Sequence, residues 1–65
     1  MKIDEEIKQE IIELLKQNEH LSALRISREL KEGYYKTIFY LELMKNEEIL
    51  EMIPVHKHTY HWRLV

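Results

Sequence analysis

The spacing of the apolar residues changes along the chain from a helical period to an extended one, and this change most constrains the fold. In the first part of the chain apolar residues recur at steps of three and four, which predicts an amphipathic helix over about residues 4–17. The residues that set this spacing are Ile3, Ile7, Ile11, Leu14 and Leu15. Near the other end, apolar and polar residues alternate from Tyr60 to Leu64, which predicts a half-buried strand.

Two further helices are predicted between these ends. Ser22 has a side chain able to accept a backbone N–H bond, so it is a suitable cap for a second helix over about residues 22–31. Gly33 interrupts the pattern, and we expect it to adopt the positive φ that a tight reversal after a helix often needs. A third helix is predicted over about residues 34–46.

The third predicted helix is apolar on almost all sides, so its inner face has to be chosen from the spacing. We assign the inner stripe to Tyr34, Thr37, Ile38, Leu41 and Met44. The outer face is then Tyr35, Lys36, Phe39, Tyr40 and Leu43. We expect Leu30, Leu41 and Trp62 to be buried in one common core, because the periods place all three inward.

The strand around Trp62 needs a partner, and the segment from Leu50 to Val55 is the natural one. The connection between them is His56-Lys57-His58-Thr59, which gives a hairpin over about residues 49–65. Pro54 lacks a donor for the strand ladder and therefore marks an edge or a bulge. The predicted fold class is mainly α with a C-terminal β-hairpin, in one domain over residues 1–65.

This order resembles the winged helix-turn-helix family, in which three helices precede a hairpin called the wing. The segment HLSALRISREL is similar to the family's second helix, and TIFYLELMKNEEIL to its recognition helix and exit. The segment ILEMIPVHKHTYHWRLV resembles the two wing strands, although Glu48 stands where many members have glycine. The resemblance implies a DNA-binding protein and a transcriptional regulator, with the 34–46 helix in the major groove and the 56–59 wing on the backbone.

The resemblance also implies which residues contact double-stranded DNA, because phosphate contacts need cations and the reading helix presents its outer face. They are Arg25, Arg28, Lys31, Tyr35, Lys36, Phe39, Tyr40, Lys57 and Arg63. The formal net charge of −2 does not itself indicate nucleic-acid binding. An alternative is a protein-interaction module that uses the aromatic face of the 34–46 helix. A homodimer also stays open as an arrangement.

Other functions lack their residue patterns. The sequence has no glycine-rich phosphate loop and no Ser/His/Asp spacing, so we expect neither an enzyme nor a cofactor. His56, His58 and His61 lie close together, but a structural zinc site wants four ligands and there is no cysteine, so we expect solvated histidines and no metal. The absence of cysteine, of a long apolar run and of a signal peptide predicts a cytoplasmic protein without a membrane partner.

Overall fold

The computed structural model describes residues 4–65, which form three helices and a two-stranded antiparallel sheet. The elements are α1 (Asp4–Gln17), α2 (Ala23–Leu30), α3 (Tyr34–Asn46), β1 (Leu50–His56) and β2 (Thr59–Leu64). The predicted order is confirmed, and the bounds of these elements differ from the predicted ones by one or two residues at most. Ile3, which we counted in the first helical stripe, lies outside the described residues. Over the part that is described, every helix is too short or too polar to cross a membrane.

Helix α1 forms where the apolar stripe predicts it. Its inward residues Ile7, Ile11 and Leu15 follow one another at steps of four and are buried. Asp4, Glu5 and Glu6 occupy the first turn, where the positive end of the helix dipole favours carboxylates. The helix therefore contributes an apolar stripe to the core and leaves its acidic side in solvent.

The turn between α2 and α3 differs from its prediction. The Ser22 side chain accepts the Arg25 N–H at 3.1 Å, which confirms the cap of α2. Lys31, not Gly33, takes the left-handed backbone, with φ of 58°. The helix ends before Lys31, whose N–H bonds to the Arg28 carbonyl. Gly33 has φ of −62° and caps α3 in an extended conformation, so our prediction of a positive φ there is wrong.

The hairpin carries the bulge that Pro54 predicts. Leu50 pairs with Leu64 and Met52 with Trp62, and the register shifts between Pro54 and His56. An isolated β-bridge, which the sequence did not reveal, joins Leu21 to the sheet. Leu21 and Trp62 exchange two backbone hydrogen bonds, of 3.0 Å and 2.7 Å, so β2 lies between Leu21 and β1.

The hydrophobic core is formed by the inner faces of all five elements. Leu30, Leu41 and Trp62 are 5%, 0% and 3% exposed, which confirms that they share one core. The remaining buried apolar residues are Ile7, Ile11, Leu15, Ala23, Ile26, Tyr40, Met44 and Leu50. The polar members are satisfied locally: Thr37 donates to the Gly33 carbonyl at 2.9 Å and Ser27 to the Leu24 carbonyl at 2.8 Å.

We predict that Leu41→Ala lowers the free energy of unfolding by about 2–5 kcal/mol, because it leaves a cavity at a fully buried position. Urea denaturation measures the change. A variant that unfolds at nearly the same urea concentration as the wild type would contradict the central place given to Leu41.

We also predict that Glu48→Gly raises the free energy of unfolding by up to about 1 kcal/mol. Glu48 has φ of 63°, a conformation that costs a non-glycine residue about 1–2 kcal/mol. Glycine removes this cost, but its greater freedom in the unfolded chain takes back about 0.5–1 kcal/mol of the gain. The control is Glu47→Gly, at φ of −86°, which should lower stability. Equal effects of both variants in urea denaturation would show that the left-handed backbone is not strained.

Candidate nucleic-acid interface

A groove of about 340 Å³ lies between α3, the hairpin and the start of α2, and we call it the α3–hairpin groove. Helix α3 supplies Tyr34, Ile38 and Glu42, which stand at steps of four and so share one side of the helix. The other lining residues are Ser22, Ala23, Leu24, Met52, His58, Thr59, Tyr60 and Trp62. The groove thus has apolar and aromatic walls, with one carboxylate from α3.

Sequence reasoning missed most of this groove. It placed Tyr34 and Ile38 on the inner stripe of α3. Ile38 does pack against the core, but Tyr34 is 43% exposed, and both line the groove. Glu42 was not singled out at all. The spacing of Glu42 could have identified it as a groove residue. It follows Ile38 by four residues and Tyr34 by eight, so it is a carboxylate on the same side of the helix.

Tyr40 corrects the predicted outer face of α3. Its side chain is only 6% exposed, and the buried residues of the helix are Thr37, Tyr40, Leu41 and Met44. The placement of Tyr40 toward a DNA ligand is therefore wrong. The Tyr40 hydroxyl donates to the Asp4 carboxylate at the start of α1. This hydrogen bond, followed by burial, raises the pKa of Tyr40.

Two aromatic residues do point outward from α3, as the sequence predicts. Tyr35 is 85% exposed and Phe39 is 62% exposed, and we call this pair the aromatic stripe. The Tyr35 ring meets Tyr34 edge-on, with ring centroids 5.4 Å apart, and Phe39 meets Tyr40 in the same way at 5.4 Å. The stripe adjoins the α3–hairpin groove through Tyr34.

The cations of α3 are held by carboxylates. The Lys36 ammonium lies 3.1 Å from Glu32, and the Lys45 ammonium lies 3.2 Å from Glu42. Lys36 follows Tyr34 by two residues, or about 200° around the helix, so it stands on the flank away from the groove. A role for Lys36 in phosphate contact remains a prediction, and its placement does not favour it.

Four other cations, Arg25, Arg28, Lys31 and Lys57, form no ion pair within residues 4–65. Arg28 follows Leu24 by four residues, so it shares a side of α2 with a residue that lines the groove, whereas Lys31 is the C-cap residue just beyond the last turn of that helix. Lys57 lies in the turn at the tip of the hairpin. Arg25 is one residue, or about 100°, away from Leu24 and stands toward another side of α2.

Arg63 lies on the opposite face of the sheet. It stands between Trp62, which lines the groove, and Leu64, and successive strand residues point to opposite faces. Its side chain bonds to Glu51 at 2.5 Å. Of the sequence-predicted cations, Arg63 is therefore the one that the sheet separates from the groove.

A second groove, between α1 and α2, is acidic. It is open to solvent, has a volume of about 550 Å³, and is lined by Glu6, Glu10, Glu13 and Glu29, together with Gln9, Leu14, Gln17 and Leu30. These carboxylates give this groove a negative potential, which repels a polyanion.

The histidines do not form the cluster that their sequence spacing suggested. His56 and His58 are exposed near the tip of the hairpin, whereas His61 lies against His20. Within the described residues there is no group of three or more His, Cys, Asp or Glu side chains placed to hold a metal ion.

Comparisons with known proteins identify the fold. No protein-family model and no curated protein matches the chain. It is similar to the Zalpha domain of PKZ from Carassius auratus, solved in complex with Z-DNA, with a TM-score of 0.86 and 19% identity over 95% of this chain and 97% of that one. It is also similar to the apo-Zalpha domain of zebrafish PKZ, with a TM-score of 0.88 and 19% identity over 95% of each chain. The chain has the winged-helix fold, as its sequence predicts.

The raised pKa of Tyr40 predicts how stability changes at alkaline pH. The folded state keeps the phenol protonated where the unfolded chain, with the ordinary value of 10.0, has lost the proton. The raised pKa of Tyr40 therefore adds to the free energy of unfolding. This added stability is fully present below pH 10.0 and is lost as the pH rises through the pKa of the folded state. Thermal unfolding between pH 8 and pH 11 should therefore show a smaller alkaline loss for Tyr40→Phe than for the wild type. Identical profiles would contradict the Tyr40–Asp4 hydrogen bond.

Proposed function

We propose that this chain is a binding module for duplex DNA, with the α3–hairpin groove against the nucleic acid and the unpaired cations on its phosphates. The observation that carries the proposal is that Arg28, Lys31 and Lys57 form no ion pair within residues 4–65 and are free to neutralise phosphates. Arg28 lies in α2, Lys31 caps the end of that helix, and Lys57 lies at the hairpin tip, and α2 and the hairpin both border the groove. The similarity in fold to a Zalpha domain in complex with Z-DNA supports it.

In the arrangement that we propose, α3 enters the major groove and the hairpin turn lies on the backbone. The aromatic stripe then offers apolar contact to thymine methyl groups, and the Glu42 carboxylate offers an acceptor to the cytosine amino group. The biological role that we propose for such binding is regulation of transcription. Arg25, Lys36 and Arg63 contribute less than Arg28, Lys31 and Lys57, because of their pairing or their side of the fold.

Glu42 sets a limit on affinity. A carboxylate in a surface that faces phosphates repels them, and Lys45 at 3.2 Å offsets this repulsion only in part, since an exposed ion pair is a weak interaction. The proposal therefore requires that the cations around the groove outweigh one acid within it.

The test is a titration with a mixed-sequence duplex at two salt concentrations. Arg28→Ala, Lys31→Ala and Lys57→Ala should each weaken binding and lower the slope of log affinity against log salt by about one. Glu42→Gln should strengthen binding severalfold, because it removes a repulsive charge. The matched control is Arg63→Ala, which removes an arginine from the opposite sheet face and should leave the slope unchanged.

Two outcomes would reject DNA binding. One is a wild-type affinity for duplex DNA no tighter than about 10⁻⁴ M, the weak end of non-specific binding. The other is an equal loss of affinity in Arg63→Ala and Lys57→Ala, which would place the ligand elsewhere. A duplex held in left-handed form serves as a second ligand, since the similar domain was solved with Z-DNA.

A second candidate function is protein binding through the aromatic stripe. Tyr35 and Phe39 are large and exposed side chains on a helix that lacks free cations, and such aromatics are enriched at interface centres. Tyr35→Ala and Phe39→Ala would then each cost a partner about 2 kcal/mol or more of binding free energy. Lys57→Ala would have little effect, which distinguishes this function from DNA binding.

A further inference from the structure

Two histidines that are far apart in the sequence meet on the solvent face of the sheet. The Nδ1 atoms of His20 and His61 are 2.8 Å apart, and their ring centroids are separated by 4.9 Å at an angle of 49°. Both residues are half-buried. The loop before α2 carries His20, and β2 carries His61.

The backbone holds this pair in place. Each histidine directly precedes a member of the Leu21–Trp62 bridge, whose two hydrogen bonds are 3.0 Å and 2.7 Å long. Leu21 and Trp62 face one side of the sheet, so their neighbours His20 and His61 face the other. Diagonal cross-strand residues on one face are within reach of aromatic side chains. The meeting of the two rings therefore follows from the strand pairing and not from a flexible surface contact.

Two ring nitrogens at this distance need a proton or a metal ion between them, because two lone pairs repel each other. Each neutral imidazole has one N–H and one lone pair, so the pair is satisfied when one Nδ1 donates a proton to the other. A metal ion is the alternative bridge, with both Nδ1 atoms as lone-pair donors and both protons on Nε2. Imidazole is a preferred ligand of Cu²⁺, Ni²⁺ and Zn²⁺.

We propose that His20 and His61 form a two-histidine site for a divalent transition-metal ion with square or octahedral coordination, Cu²⁺ or Ni²⁺. With metal–nitrogen bonds of about 2.0–2.1 Å, ligands at a right angle stand about 2.8–3.0 Å apart, whereas tetrahedral ligands stand about 3.3 Å apart. The observed separation of 2.8 Å matches the right angle. A turn of each ring aims the two lone pairs at one point, and water fills the other positions.

The surroundings of the pair permit a cation. Arg63 shares this face of the sheet, but its guanidinium is bonded to Glu51 at 2.5 Å, which offsets its charge. Since the described residues hold no group of three ligands, the site has two protein ligands and modest affinity. It lies on the sheet face opposite the α3–hairpin groove and is independent of the proposed DNA binding.

The test is thermal unfolding of tag-free protein with NiCl₂ or CuCl₂, and with MgCl₂ as the control because Mg²⁺ prefers oxygen ligands. A free concentration about a hundredfold above the dissociation constant should raise the midpoint by about 10–20 °C. Titration calorimetry with NiCl₂ should find one ion per chain. His20→Gln and His61→Gln should each weaken this binding by tenfold or more, whereas the matched control His58→Gln should bind as the wild type does.

The same measurements can overturn the proposal. No shift of the wild-type midpoint with either transition metal would do so. An equal loss in His58→Gln would also do so, because the ion would then be held by histidines at the hairpin tip. Circular dichroism and the metal-free midpoint of each variant confirm that it is folded, so that a lost response reports on the ligands.

Discussion

The pair of backbone hydrogen bonds between Leu21 and Trp62 is the constraint on which the remaining structure depends. A two-stranded hairpin alone is marginal in water, and it becomes stable when a further strand or a packed helix covers it. Leu21 adds a single bridging residue, with hydrogen bonds of 3.0 Å and 2.7 Å to Trp62, from the segment that leads directly into the packed helix α2. The bridge therefore fixes the hairpin against the helices, buries Trp62 at 3% exposure, and creates the groove beside α3.

The unpaired positive charges of this winged helix lie outside α3. Helix α3 has each of its lysines paired with a carboxylate, and its outward residues Tyr35 and Phe39 are aromatic. The free positive charge stands on α2 and at the hairpin tip instead. In the proposed complex with DNA, affinity would therefore come from the edges of the groove, and discrimination would come from its centre, where Glu42 is the charged group.

The sequence predicted the elements well and the faces of α3 poorly, and both results have physical causes. The isoleucines of α1, the Ser22 cap and the bulge at Pro54 are local signals that tertiary packing left unchanged. Helix α3 is apolar nearly all round, so its period gave no unique phase, and Tyr40 was placed outside although Asp4 binds its hydroxyl. The Leu21 bridge and the His20–His61 contact join distant residues through single pairs, which no period can reveal.

The α3–hairpin groove and the His20–His61 pair both use residues of β2, but they lie on opposite faces of the sheet. Trp62 faces the groove, while His61, its neighbour in β2, faces His20 on the other side. A ligand changes a conformational equilibrium only by its differential affinity for the two states. The Leu21–Trp62 bonds already hold both histidines at the separation that a metal ion requires. Metal binding at this pair therefore selects the folded chain over the unfolded one and leaves the shape of the groove unchanged.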